Sequence, residues 1–179
     1  MEAHYRNKKS ADADLCQAMI EGIFKPLGIA HLPIKRTVDP DGRPATPLMG
    51  AGMLMTYQDA IRIALLLKNH GEHNGRQILH RELTARAMSN DLEQGYINGW
   101  TNLEGGKGRY ESSFWRTHHK HSGCETRVPT MAGFGGNYVN VMPNGTIGLR
   151  LADGHDDDPH TWNSFGIRSV SDLVRTFCP

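Results

Sequence analysis

Two short alternating runs constrain most tightly what this chain can fold into. In Tyr138-Val-Asn-Val-Met142 and Thr146-Ile-Gly-Leu-Arg-Leu151, apolar side chains recur at every second residue, the period of a half-buried strand. Val139 and Val141 face one way, and Ile147, Leu149 and Leu151 share a face. Pro143-Asn144-Gly145 lies between the runs and is a hairpin turn signal, so the two strands pair antiparallel. Weaker strand patterns lie near Tyr110–Thr117 and Thr126–Thr130.

The first half of the chain runs on the helical period. Tyr57, Ala60, Ile61, Ala64 and Leu67 make one stripe, with Thr56 as the cap, Asp59 at the capping-box position and Gly71 beyond the end. Ile63, Leu65 and Leu66 widen that stripe, which predicts packing on more than one side. Leu15, Met19, Ile20, Ile23 and Phe24 predict an earlier helix over 11–24, capped by Ser10 or Asp12 and stopped by Pro26. A shorter helix is expected over about His80–Met88, and a closing one over Val170–Phe177. Between Gly28 and Gly50, Pro33, Pro40, Pro44 and Pro47 stand with Asp39, Asp41 and Gly42; they exclude a helix or a central strand and predict a long ordered loop or a short linker. Ser89–Gly108, rich in Asn and Gly, reads as irregular. The order is helices, then an antiparallel sheet, then a helix, which is α+β and not alternating βαβ. With 179 residues one domain is expected: a helical portion over 11–90, then sheet strands and the last helix over 110–179.

Charge and hydropathy exclude several functions. Twenty Lys and Arg against nineteen Asp and Glu leave a net charge of +1, so no nucleic-acid partner is expected. The longest apolar stretch, Ile61–Leu67, is broken by Arg62 and is far shorter than the roughly 20 residues of a membrane span. Met1–Lys9 has no apolar run, so no signal peptide is expected on this chain; the cytoplasm is the default compartment, and the sequence fixes none. Cys16, Cys124 and Cys178 are odd in number and lack Cys-x-x-Cys spacing, so no disulfide framework is inferred. His118, His119 and His121 lie near Cys124, and His70 and His73 flank Glu72, a supply of zinc donors. Without His-Glu-x-x-His or paired cysteines they read as solvated loop histidines, and no metal or cofactor is expected. Asp156–Asp158 lacks the spacing of a calcium loop and reads as a solvated turn.

The tightest glycine cluster is Met131-Ala-Gly-Phe-Gly-Gly-Asn-Tyr138, at the predicted start of a strand. Glycines there admit a close ligand and leave strand N–H groups free for a carbonyl or oxyanion; a β-bulge is the structural alternative. A strand, not a helix, follows, so this is not a dinucleotide fingerprint.

Four blocks occur in order: Phe24-Lys-Pro-Leu-Gly-Ile29, Gly50-Ala-Gly-Met-Leu-Met-Thr-Tyr-Gln-Asp-Ala60 leading into a helix, Asn74-Gly-Arg-Gln-Ile-Leu79, and Met131-Ala132-Gly133 ten residues before the Pro143 of the hairpin. This set resembles the serine β-lactamase and penicillin-binding-protein-like hydrolases, most closely the class C-like branch of esterases, peptidases and amide hydrolases. The resemblance runs from about Ala11 to Asp153. It implies a β-lactamase/DD-peptidase-like fold, with Met131-Ala132-Gly133 standing where that family has Lys-Thr-Gly or His-Thr-Gly. By the same resemblance the Phe134 backbone N–H is an oxyanion donor, and Met131, Ala132, Gly133, Gly135, Gly136 and Asn137 contact substrate. Met131 and Ala132 cannot bind a substrate carboxylate, which turns the expectation from β-lactams to an ester or amide without one. Trp115 is the aromatic placed nearest a cleft wall.

The family's nucleophile, Ser-x-x-Lys, does not occur in this sequence. Tyr5-Arg-Asn7 precedes the Pro-Leu-Gly block too closely for the family's general base, and Tyr96-Ile-Asn98 follows it, in the wrong order. The resemblance therefore implies the carboxy-terminal part of a serine hydrolase whose serine lies upstream, inert by itself and exposing apolar surface through which it would self-associate, bind a partner or be poorly soluble. The alternatives are a non-catalytic binding or interaction module of the same ancestry, and a small histidine-rich metal-binding domain.

Overall fold

The computed structural model describes residues 2–10, 12–30, 33–48, 52–91, 95–97, 109–133 and 137–151. Within them the chain is α+β, with helices in the first half and an antiparallel sheet in the second. The expected closing helix and the acidic turn before it lie outside the described residues.

Helix α1 (Glu2–Lys8) is followed by α2 (Leu15–Met19). Asp14, not Ser10 or Asp12, caps α2, its carboxylate accepting the Gln17 N–H at 3.1 Å. Instead of continuing as α, the chain widens into a π-helical turn over Ile20–Phe24. The Lys25 N–H there reaches back five residues to the Ile20 carbonyl at 2.9 Å, and Met19, Ile20, Ile23 and Phe24 all join one cluster with Leu27, Ile29 and Leu66.

The proline-rich stretch is not a loop. It folds as a two-stranded hairpin of β1 (Arg36–Val38) and β2 (Pro44–Pro47), with an irregular register between Arg36 and Val38. Prolines are compatible with such a ribbon because each strand has a free edge where no N–H is required. Arg36 ties the hairpin to α2, pairing with Asp14 at 2.7 Å and donating to the Ala45 carbonyl at 2.9 Å. Burial pushes the Asp14 carboxyl up, but the Arg36 hydrogen bond and charge and the backbone N–H groups of α2 outweigh it and hold it below the usual carboxylate range.

Helix α3 (Tyr57–Lys68) begins in a complete capping box: the Asp59 N–H donates to Thr56 Oγ1 at 3.2 Å, and the Thr56 N–H donates back to the Asp59 carboxylate at 3.3 Å. Thr56→Ala is expected to cost about 1 kcal/mol, read as a lower urea midpoint at unchanged slope. Two clusters meet on α3. Leu66 faces the one just described, Leu67 faces Ala87, Met88, Phe114 and Val141, and Ile63 packs against both. Gly71 closes the helix at φ +85°, where an added Cβ would stand 2.7 Å from the Leu79 carbonyl oxygen, so only glycine fits. A small ladder, β3 (Glu72–His73) with β4 (Arg76–Gln77), then returns the chain through Leu79 into both clusters and on to α4 (Arg81–Ala87).

The large sheet holds β5 (Tyr96–Ile97), β6 (Arg109–Glu111), β7 (Phe114–His121), β8 (Cys124–Gly133), β9 (Asn137–Val141) and β10 (Ile147–Arg150) in the spatial order β10-β9-β8-β7-β6-β5. The strand expected over Tyr110–Thr117 is two strands, folded back at Ser112 and Ser113, both at left-handed φ (51° and 68°). In β9 and β10, Val141 stands opposite Ile147 and Val139 opposite Leu149. Phe114, Met131 and Val141 turn one sheet face toward α3 and α4. The other face carries Trp115, Thr130 and Asn140 in one cross-strand row, flanked by buried His119, Thr126, Val128 and Tyr138.

Candidate functional site

Antiparallel pairing brings three segments to one end of the sheet: the Ser112–Ser113 turn, the end of β8 and the start of β9. Met131-Ala132-Gly133 does not open a strand, as its sequence suggests, but closes β8, with Gly133 paired to Asn137. Successive side chains of a strand take opposite faces, and this separates the predicted substrate residues. Met131 lies on the helix-facing side, packed against the cluster of Leu67, Ala87, Phe114 and Val141. Ala132 is exposed on the side that carries Trp115, and the Trp115 ring rests on Tyr110 with centroids 4.6 Å apart. Trp115 and Met131 therefore share no wall. Phe134, Gly135 and Gly136 lie outside the described residues. Tyr138, the first buried side chain described after them, has its phenol pushed up by burial, against the lowering effect of Arg150.

On the helix-facing side, a cavity of about 530 Å³ opens between α4 and the Ser112–Ser113 turn, walled by Leu67, Leu79, Leu83 and Phe114 and edged by Arg86, Glu111 and Ser112. Leu67, Ala87 and Phe114 belong both to this wall and to the cluster that holds Met131. Arg86 and Glu111 pair at 2.6 Å at the rim, so the rim is close to neutral and the interior apolar.

Sequence reasoning missed the residue that fixes this corner. Arg116, wholly buried on β7, donates to the carbonyls of Arg86 at 2.8 Å and Ala87 at 3.1 Å and to that of Ser89. These carbonyls lie at and just beyond the end of α4, where a helix runs out of its own donors; that of Arg86 also accepts the Ser89 N–H at 3.2 Å. Burial lowers the Arg116 pKa, opposed by the charges of Glu111 and Asp91. An arginine in an alternating segment carries no local sign of such a role.

His118, His119 and His121 lie on β7 and His73 on β3, not in loops, whereas His70 sits in an exposed turn after α3. His118 pairs with Glu125 at 2.5 Å, while His119 faces the other side of the sheet, 3% exposed, with Nε2 at 2.9 Å from Thr117 Oγ1. Cys124 is disulfide-bonded and Cys16 is free and buried, so the sulfur nearest these histidines is no thiolate donor. His73 contacts Asn74 at 3.1 Å. Among the described residues, no three His, Cys, Asp or Glu side chains stand together as a metal set, and no helix is long and apolar enough to cross a membrane.

No protein-family model matches the chain, and no curated protein matches it.

Proposed function

We propose that this chain is the carboxy-terminal part of a serine hydrolase related to the β-lactamases and penicillin-binding proteins, acting on an ester or amide through a serine supplied upstream. The observation that carries the reading is the order of the resembling blocks along the fold. The second block runs into capped α3, the third forms the turn after it, and the fourth closes β8 beside the sheet face that α3 covers. Chemistry of this kind needs backbone donors aimed at a developing oxyanion, and a strand end followed by glycines is suited to present them. A substrate approaching that end meets apolar walls and a charge-balanced rim, which suits an uncharged acyl group.

Met131 favours a second reading. In the hydrolase its position should serve substrate, yet here it packs into the core, as in a non-catalytic module that keeps the scaffold for binding. Fluorophosphonate labelling tests the first reading at its simplest. The 179-residue chain should take up no label, and a labelled serine on this polypeptide would contradict an upstream nucleophile.

A further inference from the structure

We infer that Asn144, at the tip of the β9–β10 hairpin, is an acceptor for N-linked glycosylation. Asn144-Gly145-Thr146 has the Asn-x-Thr pattern with a residue other than proline in the middle, the acceptor sequence of surface turns in secreted proteins. The turn presents it openly. Asn144 and Thr146 are both exposed, and Gly145, at φ +78°, folds the chain back between them. Asn144 Oδ1 accepts the Thr146 N–H at 3.0 Å. That contact holds the side chain by its oxygen and leaves Nδ2, the atom to be modified, directed away from the bond. The Thr146 hydroxyl makes no hydrogen bond among the described residues. Of the described residues, Lys68 at the end of α3 stands beside Gly145, where an added Cβ would lie 3.0 Å from its Cε, while Asn144 itself is exposed.

A separate observation fits the compartment where such transfer occurs. Cys124 is disulfide-bonded, and disulfides persist in secretory and extracellular compartments while being rare in the cytosol. In the transfer, Asn144 Nδ2 forms a bond to the anomeric carbon of a lipid-pyrophosphate-linked oligosaccharide. The bond from that carbon to the pyrophosphate oxygen breaks, the lipid pyrophosphate leaves with the electron pair, and the amide gives up one proton. The product would stand beside β10, the end strand of the sheet among the described residues, where a bulky polar group discourages edge-to-edge pairing. The inference does not depend on the hydrolase reading.

The test is peptide mapping of the protein from its native cells. Trypsin releases Val128–Arg150 as one peptide, since no Lys or Arg lies between. Treatment with peptide N-glycosidase in heavy-oxygen water should convert Asn144 to heavy-oxygen-labelled aspartate, with little of the unmodified peptide present beforehand. An untreated sample carried through the same water corrects for spontaneous deamidation at Asn-Gly. Thr146→Ala, an exposed change, should abolish the labelled product while leaving the circular dichroism spectrum unchanged. Recovery of Val128–Arg150 chiefly with unmodified Asn144 before treatment would overturn the inference.

Discussion

Replacing Arg116 with alanine should destabilise the chain by about 3–5 kcal/mol, the usual cost of removing one partner from a buried charged network. The side chain is wholly buried and donates to carbonyls of Arg86, Ala87 and Ser89, with the Glu111 carboxylate 4.0 Å away. The substitution takes the guanidinium from all three carbonyls, of which that of Arg86 keeps the Ser89 N–H at 3.2 Å, and leaves Glu111 with Arg86 as its nearer cation. Since small domains hold only about 5–15 kcal/mol in total, the variant should sit near the edge of folding. Arg116→Lys should recover little, because one ammonium cannot span the three carbonyls that the planar guanidinium reaches. Urea unfolding of the full chain is the measurement; a loss below about 1 kcal/mol would mean that the corner is held by its apolar cluster alone.

Acid should unfold the protein through His119. Burial, with a smaller push from neighbouring His118, lowers its pKa from 6.5 to about 4. The folded state therefore binds fewer protons than the unfolded state between those two values. The contribution is fully present above pH 6.5, is lost progressively as pH falls, and is gone below about 4. A shift of this size corresponds to about 3 kcal/mol. The geometry gives the same direction: Nε2 faces Thr117 Oγ1, whose hydroxyl donates to the Val128 carbonyl at 3.3 Å, so the neutral ring is satisfied, and a second ring proton finds no acceptor among the described residues. His119→Gln should flatten stability across this window, whatever its cost at pH 7. Equal slopes for both proteins between pH 6.5 and 4 would show that other groups govern acid unfolding; Asp14, held below its ordinary range, acts only at lower pH.

The strongly periodic segments were the legible ones. Thr56 and Asp59 announced α3, and the Pro143-Asn144-Gly145 signal with flanking alternation announced β9 and β10, because in both places local preference and tertiary packing agree. The proline-rich hairpin was misread because prolines exclude central strands but not a two-stranded ribbon, and the Arg36–Asp14 pair that anchors it joins residues 22 positions apart. The turn at Ser112–Ser113 gave no warning, since neither residue is one that left-handed turns favour. At the candidate site, residue types were readable but facing was not. Met131 and Ala132 look interchangeable as departures from a polar motif, yet the position where β8 meets β9 turns one into the core and the other outward. Arg116 was invisible because the carbonyls it serves belong to α4, about thirty residues upstream.

The central claim is that this chain completes a hydrolase whose nucleophile precedes it, and labelling the native gene product tests it most directly. Cells that make this protein should be treated with a fluorophosphonate, the labelled product isolated by its content of this sequence, and its intact mass compared with 19.9 kDa. A product well above that mass, labelled on a serine of a Ser-x-x-Lys sequence upstream of residue 1, is the predicted result. An unlabelled product of 19.9 kDa would contradict it and assign the scaffold to binding.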